Sequence, residues 1–202
     1  MTTVLDIVLT FFLALTGGLV ARRAGLDAVG FVFLATIAGT AGGTARDLTL
    51  GREIFWVKQP PYLLLTVAAG LIVFVLPRLI RDRQVALGWL DLPGLAAGVA
   101  AGAGIALEHG EHWLVVLAVG VMNGTFGGLV RDTLADDVPL VLSRGESYAV
   151  AALSGPVVVL FASLLGLPPW LAMALGALVA GGLRAVTILR PVDLAPRRSD
   201  DG

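Results

Sequence analysis

The chain is 202 residues long, 57% apolar and only 14% charged, with mean hydropathy +0.89 and a formal net charge of −1. Soluble domains carry about 45–50% apolar and about 25% charged residues, so this balance marks an integral membrane protein. It argues against a general nucleic-acid binder, which needs a clustered basic surface, and the absence of cysteine excludes disulfides, thiol catalysis and thiolate metal sites.

About 20 helical residues cross a bilayer core, and the apolar runs near 4–21, 28–46, 61–77, 89–107, 113–131, 147–166 and 170–189 predict seven spans. The first begins at MTTVLD, which lacks a basic n-region and carries Asp6 instead. It therefore reads as a retained helix rather than a signal peptide. Asp6 near its start is expected to cap the helix and favour its dipole, as is Asp91 at the start of the fourth run.

The second run, FVFLATIAGTAGG, closes in TARD. Gly39 and Gly43 share a face, as do Thr36, Thr40 and Thr44, and small residues four apart let another backbone approach. Gly42 next to Gly43 weakens the helix, at about 1 kcal/mol per glycine relative to alanine, and predicts a bend or a short unwound section. Arg46–Asp47 either lines or flanks a polar pathway, or anchors the helix end in the headgroups.

Prolines punctuate the remaining runs: Pro60–Pro61, Pro77, Pro156 and Pro168–Pro169 are expected at helix starts and ends. EHGEH at 108–112 reads as a solvated loop rather than a metal site, and DDVP at 136–139 as an acidic turn. The fifth run holds Gly124, Thr125, Gly127 and Gly128 before Arg131–Asp132. Arg184, late in the seventh, is expected to snorkel to the interface. The tail from 191, PVDLAPRRSDDG, reads as disordered.

The motif of the second run is duplicated. GTAGGTARD at 39–47 and GTFGGLVRD at 124–132 share six of nine residues at an offset of 85. The same ungapped offset pairs Asp6 with Asp91, Gly17 with Gly102, Gly25 with Gly110 and Gly70 with Gly155. The chain is thus expected to be one transmembrane domain, 1–190, of two three-helix repeats (about 4–77 and 89–166) plus a seventh helix (170–189). Three is odd, so the repeats cross the membrane in opposite senses, a transporter-like architecture with sites where interrupted helices meet.

Charge sets the orientation. With Arg46 and Arg131 set aside, the side of the N-terminus holds Arg52 and Lys58. The other side holds Arg22, Arg23, Arg78, Arg81, Arg83, Arg144, Arg190, Arg197 and Arg198. The bias predicts an outside N-terminus and a cytoplasmic C-terminus. No phosphate-cradling loop, zinc-protease motif or Ser-His-Asp set is present, so an enzyme is not expected, nor any cofactor or bound metal.

Two glycine-rich RD motifs about 85 residues apart in a 3+3+1 plan resemble the prokaryotic trimeric intracellular cation (TRIC) channel family, also grouped as a glycine-rich membrane family with proposed glycine transport. The resemblance, which runs to about residue 190, implies a homotrimer in lipid, each subunit carrying its own monovalent-cation pore. It also implies that the second and fifth spans are kinked at Gly42, Gly43, Gly127 and Gly128. The third glycine of some relatives is Thr44 here, and Leu129 in the second repeat. With a single lysine, Lys58, the lysine-rich features of animal members do not carry over. On this reading Thr40, Thr44 and Thr125 offer hydroxyls to K⁺, the permeant ion, in a prokaryotic inner membrane. A secondary transporter for a small zwitterion such as glycine is the competing expectation. It explains the Arg–Asp pairs at least as well; a scaffold without a pathway does not explain their duplication.

Overall fold

The computed structural model describes residues 1–76, 83–142 and 148–190. These form α1 (Thr2–Arg23), α2 (Ala28–Thr49), the single turn α3 (Phe55–Lys58), α4 (Pro61–Val75), α5 (Arg83–Glu108) and α6 (Trp113–Leu134). A 3₁₀ turn (Leu140–Leu142), α7 (Tyr148–Leu164) and α8 (Pro169–Leu189) complete the order. The seven apolar runs are α1, α2, α4, α5, α6, α7 and α8. Five have the length and hydropathy of a full span, and α4 and α7 are shorter. Helices outrun the apolar windows because backbone hydrogen bonding continues where hydropathy stops: α1 runs through Arg22–Arg23, α2 through Arg46–Asp47.

Local chemistry sets the ends. The Asp27 carboxylate accepts from the Gly30 amide at 2.9 Å and caps α2, and Pro61 and Pro169 occupy the first turns of α4 and α8. Gly25 and Gly110, related by the repeat, follow α1 and α5 at φ +68° and +77°. Gly51 (φ +62°) corresponds to Asp136 (φ +56°), so the left-handed step after each motif persists even where the second repeat has a side chain. Pro156 departs from expectation. It lies inside α7 rather than at an end, as Pro93 lies inside α5. Its ring packs on Gly120, where a Cβ would come within 2.6 Å of it. Pro77, Arg78, Arg81, Arg144 and the 191–202 tail fall outside the described residues.

The fold is all-α, two inverted three-helix repeats plus a seventh membrane helix. Within each repeat all three long helices pack together: α1, α2 and α4, then α5, α6 and α7. Contacts of α1 with α5 and of α2 with α6 join the repeats, and α8 packs chiefly on α5 and α7. Equivalent glycines make equivalent contacts. A Cβ on Gly39 would lie 2.7 Å from the Thr10 carbonyl oxygen, and one on Gly124 would lie 3.0 Å from that of Leu95.

At the α2–α6 crossing the contact is reciprocal. Gly42 sits against the carbonyl oxygen of Asn123, and Gly127 against that of Ala38, each too close for any side chain. Of the bend or short unwound section expected at the motif, the unwound form is absent, since α2 and α6 are helical throughout. The glycines serve backbone approach, which an intact helix permits and an unwound one would disturb.

Two buried arginine–aspartate clusters

Arg46 and Arg131 stand one turn from the ends of α2 and α6, and neither reaches the headgroups. Their side chains are 1% and 0% exposed, which excludes simple interfacial anchoring. Buried guanidinium groups require acceptors for their fork of donors, and both find them in the same way. Arg46 donates Nε and Nη2 to the two oxygens of Asp47 at 2.8 and 3.2 Å, and Arg131 does so to Asp132 at 2.6 and 3.0 Å. Nη1 then reaches the first helix of its own repeat: Asp6 Oδ1 at 2.6 Å for Arg46, Asp91 Oδ1 at 3.3 Å for Arg131. Asp47 Oδ2 accepts the Phe55 amide at 2.8 Å, and Asp132 Oδ2 accepts that of Leu140 at 3.1 Å. The short turn after each motif is thereby tied back to it.

Asp6 and Asp91 are consequently not helix caps. They lie inside α1 and α5, with no capping bond, as counter-ions to the motif arginines. Both acid–arginine pairs are separated by 40 residues, a spacing already implicit in the duplication. Each cluster holds one arginine and two aspartates, a formal charge of −1. Because α2 and α6 run in opposite senses, the clusters lie towards opposite membrane faces.

The clusters differ in their lids. The first opens on a cavity of about 270 Å³ lined by Asp6, Arg46, Asp47, Arg52, Glu53 and Lys58 among others. The second is enclosed. Tyr148 donates its hydroxyl to Asp91 Oδ2 at 2.8 Å, Thr16 of the other repeat meets Arg131 at 2.6 Å, and the Arg184 guanidinium lies 4.6 Å from the Tyr148 ring. Arg184 does not snorkel, being fully buried where α8 packs on the second repeat and hydrogen-bonding Thr187 at 3.4 Å. Sequence reading missed Thr16 and Tyr148, because neither has a counterpart under the offset.

The threonines of the motif are turned to their own helix. Thr40, Thr44 and Thr125 donate to the carbonyls of Thr36, Thr40 and Val121 at 2.7, 2.8 and 2.9 Å, and Thr44 accepts from Trp56 Nε1 at 2.9 Å. Gly43 faces the Phe55 ring, and Gly128 faces Asp91 and Arg131. Two further polar groups escaped the sequence reading. Asn123 donates Nδ2 to the Gly98 carbonyl at 2.7 Å, while its Oδ1 and the Thr10 hydroxyl are buried without a hydrogen-bond partner among the described residues. The EHGEH loop is at the surface, with His112 capping α6 and His109 3.4 Å from Glu111. DDVP supplies Asp137, which pairs with exposed Arg23 at 3.0 Å.

Inverted three-helix repeats, each with a buried ionic cluster near its own membrane face, define an integral membrane protein of the pathway-forming kind. The family model described as Glycine transporter matches the chain twice, over residues 3–78 and 88–164, once for each repeat. The chain belongs to this family and to the prokaryotic TRIC channel family. It is 35% identical over 158 residues to the UPF0126 inner membrane protein YadS of Escherichia coli K12, spanning 76% of this chain and 75% of that one. It superposes with TM-score 0.89 on the TRIC trimeric intracellular cation channel orthologue from Rhodobacter sphaeroides, at 37% identity over 93% of this chain and 97% of the other. A second TRIC cation channel structure matches with TM-score 0.88 at 27% identity, over 99% and 98%. The matched proteins are named as membrane proteins and channels, not as enzymes.

Proposed function

We propose that the chain is a monovalent-cation channel that conducts K⁺, with a pore in each subunit running along the α2–α6 crossing from one cluster to the other. The observation that carries this reading is the neutralisation of each buried arginine by two aspartates. An arginine alone would repel cations from the path, whereas an arginine paired with two aspartates leaves no unbalanced positive charge there. Of the motif glycines, Gly42 and Gly127 let the two helices approach, Gly39 and Gly124 seat α2 on α1 and α6 on α5, Gly43 faces Phe55, and Gly128 faces Asp91 and Arg131. Thr40, Thr44 and Thr125 give their protons to the backbone and keep oxygen lone pairs for a partly dehydrated ion. The structural match to an orthologue described as trimeric supports a homotrimer. Arginine bias supports an inner-membrane protein with its N-terminus outside.

A second reading, secondary transport of a small zwitterion such as glycine, is favoured by one feature. The vestibule is lined by three acids and three bases, Asp6, Asp47 and Glu53 with Arg46, Arg52 and Lys58. Purified protein in planar bilayers separates the two. The channel reading expects discrete, ohmic K⁺ currents, and saturable glycine uptake without unitary currents overturns it.

A further inference from the structure

We infer that Asn123 supplies the mid-membrane oxygen that coordinates the permeant cation and sets which cation passes. This rests on the channel reading above. The reciprocal contact of Gly42 with the Asn123 carbonyl and of Gly127 with the Ala38 carbonyl places the local twofold relation of the repeats at this crossing. Residues 38 and 123 are equivalent under the offset of 85, yet one carries a methyl group and the other a carboxamide.

Asn123 is the eleventh of the 22 residues of α6, about 15 Å from either end at 1.5 Å per residue. It is fully buried, beside Gly98 and Gly102 of α5. Its amide orientation is determined, because the Gly98 carbonyl can only accept and so must face Nδ2. That leaves Oδ1, an acceptor with no donor among the described residues, in the middle of the span.

Thr10 adds an independent mark in the same layer. Its carbonyl touches Gly39, one turn from Gly42 on α2, and its own hydroxyl is fully buried without a partner among the described residues. Lipid satisfies neither oxygen, and a partly dehydrated cation satisfies a free carboxamide oxygen directly.

The test is bi-ionic recording from the full-length protein in planar bilayers, with K⁺ on one side and Na⁺ on the other. Asn123→Ala and Thr10→Val are expected to shift the reversal potential and to lose most of the unitary K⁺ conductance. Asn123→Asp, nearly isosteric, is expected to raise conductance at low salt and to bring block by divalent cations. A purely structural asparagine would lower thermal stability on Asn123→Ala but leave the reversal potential at the wild-type value. That result, with Asn123→Asp also unshifted, overturns the inference while leaving the channel standing. Absence of wild-type current overturns the channel reading itself.

Discussion

At the scale of single residues, enclosure decides what each substitution costs. Removing one partner of a buried ion pair costs about 3–5 kcal/mol, because the remaining charge is stranded. Arg131→Met would leave Asp91 and Asp132 without their cation in a fully enclosed cluster, whereas Arg46→Met leaves Asp6 facing a cavity that water can enter. The expected order of melting temperatures in detergent is wild type, then Arg46→Met, then Arg131→Met. Glycines are graded by the same reasoning. Alanine gains about 1 kcal/mol of helix propensity over glycine, but overpacking costs about 1–3 kcal/mol. At Gly42 the obstacle is the Asn123 carbonyl, a backbone atom that cannot rotate away, so Gly42→Ala should melt earlier than wild type. Gly182 of α8 has open space around it, and Gly182→Ala should melt later.

Helices were the most legible elements of the sequence. All seven apolar runs became helices, with ends shifted by a few residues at Arg, Asp and Glu. Duplication made the first pairings readable as well: Asp6 and Asp91 lie at one offset, as do Arg46 and Arg131. What stayed hidden was which acid meets which base. A carboxylate early in a helix looks like a cap until another helix is known to present an arginine beside it. Pro156 misled for a related reason, since its local bias against helix is outweighed by the packing its ring makes on Gly120. The seventh helix carried least signal, having no repeat partner, yet α8 makes the two clusters unequal. Its Arg184 lies on the Tyr148 ring, and the Tyr148 hydroxyl holds Asp91. If that bond closes the pathway at the second cluster, Tyr148→Phe should raise the open probability in single-channel records and leave the reversal potential alone. An unchanged open probability would assign the tyrosine to packing alone.

For the whole molecule, inversion of the repeats means that each face of the membrane meets one cluster, so orientation determines which cluster a given compartment reaches. The described ends of the helices sort into two sets. Arg52, at the mouth of the first cavity, and Glu111, in the EHGEH loop, share the side of the N-terminus. Arg23, at the end of α1, and Asp137, after α6, form an ion pair on the opposite side. The orientation proposed from the arginine bias predicts the first set outside. The chain has no cysteine, so a single introduced thiol reports its side without background. Arg52→Cys and Glu111→Cys should react with a membrane-impermeant maleimide added to intact cells. Arg23→Cys, which gives up only an exposed ion pair worth about 0–1 kcal/mol, should react only after the membrane is opened. Labelling of all three from outside would contradict the inversion, because Arg23 and Arg52 are separated by one full span. Labelling of Arg23→Cys alone would keep the inversion and reverse the orientation. The open vestibule would then face the cytoplasm, and the cluster sealed by Tyr148 would face out.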